Sequence, residues 1–118
     1  MPNAQKKSLE APDQVLNMEL GKIDIVEIAG GAVGRATFQP GWKWSEHEKP
    51  VLGETGDYCQ VPHFAYVASG QIHVVFADGG EMDLKPGDIA TIPAGHDGWV
   101  VGEEPAIMFD FGAVAKQF

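Results

Sequence analysis

Cysteine is nearly absent from this 118-residue chain, with Cys59 as its single example. No disulfide can form within the chain, which excludes the stapled secreted scaffolds and fits a reducing compartment. Basic residues are scarce too. Eight Lys and Arg face 17 Asp and Glu, for a net charge of −9. A surface of that sign repels phosphate backbones and anionic lipid, so neither nucleic acid nor membrane is expected as a partner. No apolar run approaches the roughly 20 residues of a membrane-spanning helix. The segment Met1 to Glu10 carries Lys6 and Lys7 with no apolar stretch after them, unlike a secretory leader. These features predict a cytoplasmic protein. The chain also lacks a phosphate-binding loop, a dinucleotide fingerprint, a Gly-x-Ser-x-Gly elbow and zinc-finger spacing, which removes the commonest enzyme classes.

Turn residues, by contrast, are plentiful. Fifteen Gly and eight Pro punctuate short apolar runs, the rhythm of an all-β sandwich or barrel. The length suits one domain, and 44% hydrophobic residues suffice for a core. We divide the chain into an N-terminal arm, 1–21, and a barrel domain, 22–118. Within the arm, Asp13 to Leu20 has weak helical-turn character. Strands are expected at Lys22–Ile28, Ala32–Gln39, His63–Ala68, Gln71–Phe76, Glu81–Leu84, Ile89–Ile92, Trp99–Val101 and Ala106–Phe111. Asp78-Gly79 is a strong hairpin signal. Between Gly41 and Pro62 lies a long polar and aromatic loop, and loops of that length are usually functional.

Gly87, Pro93 and Gly95 are spaced as Gly-x5-Pro-x-Gly and Gly41 stands six residues before His47, and on these the segment Gly41 to Gly102 resembles the cupin superfamily. Gly87, Pro93 and Gly95 reproduce the framework of its second motif. That motif's histidine position holds Gly98 and its asparagine position Gly102, while His96 lies two residues before Gly98. Gly41 and His47 fit the start of the first motif, Lys49 stands where its second histidine would be, and His63 takes the place of its glutamate, seven residues before Gly70. An alternative alignment puts Asp57 and Cys59 at the two histidine positions and keeps His63. The pattern is similar to a group of small bacterial cupins, found alone or joined to signalling modules. The resemblance implies a double-stranded β-helix, or jelly-roll barrel. It also implies a homodimer and a ligand site inside the barrel mouth.

On that resemblance, the candidate metal ligands are His47, His63, His96 and Cys59. Imidazoles suit zinc, iron, nickel and copper, and added carboxylates favour harder ions. The cofactor expected is a divalent ion: zinc or iron first, nickel or manganese next. Trp42, Trp44, Lys49, Tyr66, Asp97 and Trp99 are the candidate pocket residues. Each has an ordinary reading as well: a strand histidine is commonly just hydrogen-bonded, and a lone Cys is commonly a small buried apolar group. Glu46 and Glu48 flank His47 and are read as solvated by default. His73, outside both motifs, is read as structural or exposed. The function implied is metal binding in a barrel pocket, with dioxygenase- or isomerase-like action on a small molecule. The alternative is a non-catalytic domain that binds or senses a small ligand.

Overall fold

Turn chemistry sets the strand boundaries. Ala29 and Gly30, with φ of 53° and 74°, form the two-residue turn joining β2 (Gly21–Ile28) to β3 (Gly31–Phe38). Positive φ at both central positions matches the twist of the flanking strands. Gly70, φ 72°, turns the chain from β4 (His63–Ser69) into β5 (Gln71–Phe76). A Cβ there would stand 2.4 Å from the Pro105 carbonyl oxygen, so both conformation and space demand glycine. The computed structural model describes residues 4–112. The first three residues of the expected arm and the last six of the expected barrel, 113–118, lie outside the described residues.

The remaining strands are β1 (Gln14–Met18), β6 (Glu81–Leu84), β7 (Ile89–Ile92), β8 (His96–Val101) and β9 (Ala106–Asp110). They form a six-stranded sheet of order β1-β2-β3-β9-β4-β7 and a three-stranded sheet of order β6-β5-β8. Every strand pairing is antiparallel. The architecture is the all-β jelly roll expected from the sequence. Alternation sends every second side chain inward. Ala65 and Val67 of β4 are buried, while Phe64 and Tyr66 between and before them face out. Ile72 and Val74 of β5 join Phe38, Leu84 and Ile92 in the core between the sheets. Truncating one of these, Leu84→Ala, removes transfer energy and leaves a cavity, at a cost of about 2–5 kcal/mol. No helix of the described residues is long and apolar enough to cross a membrane.

Two local expectations are corrected. Asp13 to Leu20 is not a helical turn: Gln14–Met18 is the edge strand β1, paired residue for residue with Gly21–Ile25. Its weak helical signal yields to the open edge that β2 offers. The stretch before it is tied down as well. Asp13 accepts the Glu27 N–H at 2.7 Å, and Arg35 reaches both Glu10 and Asp24. The second correction concerns the long loop. It contains a π-helical turn at Trp44–Glu48 and a short helix, α1, at Lys49–Leu52. Asp97 fixes this excursion by accepting the Ser45 N–H at 3.1 Å, and Trp44 is buried beneath it.

Candidate metal centre and adjoining cavity

Backbone pairing brings two of the candidate ligands together. The Cys59 N–H donates to the His96 carbonyl at 2.6 Å, and the Gly95 N–H donates to the Cys59 carbonyl at 2.7 Å. This isolated bridge clips the end of the long excursion to the start of β8. His63 opens β4, and its ring centre lies 5.1 Å from that of His96. One donor atom each from Cys59, His63 and His96 lies within 4.8 Å of the others. His96 is two residues before the position where the family pattern has its histidine. Residues i and i+2 of a strand share a face. The displaced ring therefore still points to the same side as Gly98, and both line the cavity. A Cβ on Gly98 would stand 3.2 Å from the His73 carbonyl oxygen, so the strands approach closely there.

The two imidazoles are oriented. His63 Nδ1 is hydrogen-bonded to Asp110 Oδ2 at 2.5 Å, and His96 Nδ1 donates to the Pro93 carbonyl oxygen at 2.8 Å. With both Nδ1 atoms engaged, each ring turns Nε2 toward Cys59. Metal-bound histidines are held in this way, by a carboxylate or carbonyl on the other nitrogen. Electrostatics reinforce the arrangement. Burial opposes charge on His63, but the bonds to Asp110 and Cys59 outweigh it and raise its pKa to about 9. Burial likewise pushes the Cys59 thiol up, yet His63 and His96 bring it down to about 6. The Asp110 carboxyl, raised by burial, is held below its ordinary value by the His63 hydrogen bond. The two imidazoles thus favour the Cys59 thiolate, the form that binds metal. A thiolate and two imidazoles make a coherent donor set for a borderline transition ion, so the residues fit the group that the fold implies.

His47 is not one of the three. Its Nδ1 accepts the Lys43 N–H at 2.9 Å and closes the π-helical turn. Of the four candidate ligands, the structure brings Cys59, His63 and His96 together and sets His47 apart. Carboxylates complete the surroundings. Glu48 lines the same cavity as His63, His96 and Asp110. Burial raises its pKa to about 7, helped by the negative charge of Cys59.

Behind these groups lies a cavity of about 310 Å³. Its inner wall is aliphatic, with Ile23, Ile72, Leu84 and Met108 among the lining residues. Trp42 and Trp44 are among its lining residues, and Trp42 stacks on Phe38 at 3.6 Å. The other four pocket candidates stand elsewhere, and strand alternation explains three of them. Tyr66 is on the outer face of β4, 41% exposed. Trp99 faces out from β8, 5.1 Å from the His73 ring and under the Lys43 ammonium. Asp97 binds the Ser45 and Gly98 N–H groups. Lys49 begins α1 and is not in the cavity wall. Sequence reasoning missed Asp110, which follows an unremarkable apolar run. Its signal was the strand period that places it opposite Gly34 and Ala65, on the inward face. Glu48 was named but read as solvated, because the turn that buries it was unforeseen.

No curated protein sequence matches this one. Solved structures do. The oxalate decarboxylase of Lactobacillus farciminis is 22% identical with a TM-score of 0.61, over 82% of this chain and 30% of that one. A Rhizobium leguminosarum protein of unknown function is 18% identical with a TM-score of 0.61, over 92% and 95%. A sugar phosphate isomerase of the cupin superfamily from Silicibacter pomeroyi is 22% identical with a TM-score of 0.53, over 78% and 58%. The chain thus spans under a third of the oxalate decarboxylase, and likenesses of this degree carry fold alone. The family model for a cupin domain matches residues 34–112, two thirds of the sequence and all of β4 to β9. This chain belongs to the cupin family.

Proposed function

We propose that the protein binds one divalent transition-metal ion through Cys59, His63 and His96 and presents it to a small molecule in the adjoining cavity. One observation carries this reading. Two imidazoles with their Nδ1 atoms engaged meet a thiolate, all three donor atoms within 4.8 Å. Three protein ligands leave a coordination position open, as in catalytic rather than structural sites. Soft sulfur with imidazole favours zinc or iron over manganese. Such an ion would supply Lewis-acid polarisation of an oxygen on a bound molecule. Asp110 fixes the His63 ring, and the Pro93 carbonyl fixes His96 in the tautomer protonated at Nδ1. Glu48, with a pKa of about 7 at the same mouth, can take up or release a proton near neutrality.

Elemental analysis of the protein as isolated, and after titration with zinc or ferrous iron, tests this reading. Close to one ion per chain is expected, with loss in His63→Ala and His96→Ala. Full metal content in both variants would remove the assignment. Turnover of a cavity ligand would make the protein an enzyme, and binding without turnover would make it a sensing domain.

A further inference from the structure

We infer that the cavity is built for a neutral, largely apolar molecule carrying an oxygen acceptor, which takes the indole N–H of Trp44. This goes beyond the metal reading and does not rest on it. Trp44 stands in the cavity wall with only 3% of its surface exposed. Its Nε1–H is buried and has no hydrogen-bond partner among the described residues. Buried indole donors are ordinarily paired, and an unpaired one is costly to keep. The neighbouring Trp42 shows the contrast, since its Nε1–H donates to the Met18 sulfur at 3.3 Å. An acceptor on a bound molecule would satisfy Trp44 once a small shift of the wall let it reach the nitrogen.

The rest of the wall selects against charge. No Lys or Arg is among the described lining residues, and the charge on His63 is already matched by Asp110 and Cys59, with Glu48 in the same wall. A carboxylate or phosphate entering there would find no cation that is not already matched by an acidic group. Oxalate and sugar phosphates, the substances printed in the names of two structural relatives, are the wrong chemistry for such a wall. Size agrees as well. An apolar cavity of about 150 Å³ accommodates benzene, so about 310 Å³ admits a substituted ring or a branched chain of similar bulk.

The test uses acetophenone and ethylbenzene, which share a shape and differ in the carbonyl. Binding of each to the full chain is read by calorimetry, as isolated and again with excess chelator. Metal failure therefore cannot masquerade as failure of this proposal. Acetophenone is expected to bind about fivefold more tightly than ethylbenzene, as one net hydrogen bond implies. Oxalate and glucose 6-phosphate are expected not to bind with chelator present. Trp44→Phe keeps an aromatic ring and removes the donor, so it should abolish the ketone preference and leave ethylbenzene affinity unchanged. Gly34→Leu projects into the cavity, where a Cβ meets Ile23 at an ordinary 3.4 Å, and should weaken both probes. Binding of oxalate or the sugar phosphate in place of the aromatic pair would overturn the proposal. So would a ketone preference that survives Trp44→Phe, or unchanged binding of both probes in Gly34→Leu.

Discussion

Two histidines in this fold each hold carboxylates at close range, yet only one is placed to bind metal. His63 meets Asp110 at 2.5 Å inside the barrel mouth, and its other nitrogen faces the candidate ligands Cys59 and His96. His73 meets Asp83 at 2.6 Å through Nδ1 and Glu81 at 2.8 Å through Nε2, on the outer face of the small sheet. Both of its nitrogens are taken. Its carboxylates are mostly exposed, at 66% and 63% for their side chains, so water screens the pairs. Both histidines are raised in pKa, one against a burial penalty and one almost without it. A histidine–carboxylate pair alone therefore does not mark a site. What marks it is a nitrogen left over, with other donors close by.

The strongest way to break this comparison is to delete each imidazole. His63→Ala should cost more than the roughly 10–100-fold in metal affinity that losing a supporting partner costs, while His73→Ala should leave zinc affinity unchanged by competition titration. Next come the carboxylates. Asp110→Asn should weaken zinc by roughly 10–100-fold through loss of ring orientation, and Asp83→Asn should not. A smaller effect sharpens the electrostatics. His63, with a pKa of about 9, is protonated at pH 7.5, whereas Cys59, at about 6, has already lost its proton. Metal uptake at pH 7.5 should therefore release about one proton per ion, read as a buffer-dependent heat in calorimetry.

The smallest effect is on stability without metal. The folded pKa of His63 lies above its ordinary 6.5, so its stabilising contribution is complete below about 6.5 and lost as pH rises through about 9. Cys59 has the opposite sign, since its depressed folded pKa adds stability as pH rises from about 6 toward 9, so the pair nearly cancels in the unaltered protein; the His63 decline, at most about 3 kcal/mol, should emerge in Cys59→Ala by chemical denaturation across that window. His73 has the same sign as His63, but its contribution should fade with added salt, because its pairs face solvent. A decline in Cys59→Ala that persists undiminished when His63→Ala is added would assign the linkage elsewhere.

Much of the fold was legible because turns and alternation are local. Asp78-Gly79, Pro93 to Gly95 and the alternating Gln71–Phe76 specify their own geometry, and the barrel strands lie where those signals put them. β1 was not legible, since Gln14–Met18 is a strand only because β2 leaves an edge open. The site was half legible. His63, His96 and Cys59 were named, but spacing along the chain could not say which residues converge. That depended on the Cys59–His96 bridge, 37 residues apart in sequence, and on the π-helical turn that uses His47 for its own closure. Outward-facing Tyr66 and Trp99 were misplaced for a simpler reason. Aromatic type suggested a pocket, while their strand parity, which the sequence does carry, put them on the other face.

The central claim is that sulfur from Cys59 and nitrogen from His63 and His96 share one ion. Zinc-edge X-ray absorption of the zinc-loaded protein addresses it directly, because sulfur and imidazole scatter differently. The account predicts one sulfur and two imidazoles per zinc, with the sulfur lost in Cys59→Ser. A shell without sulfur in the unaltered protein, or no zinc retained at all, would contradict it.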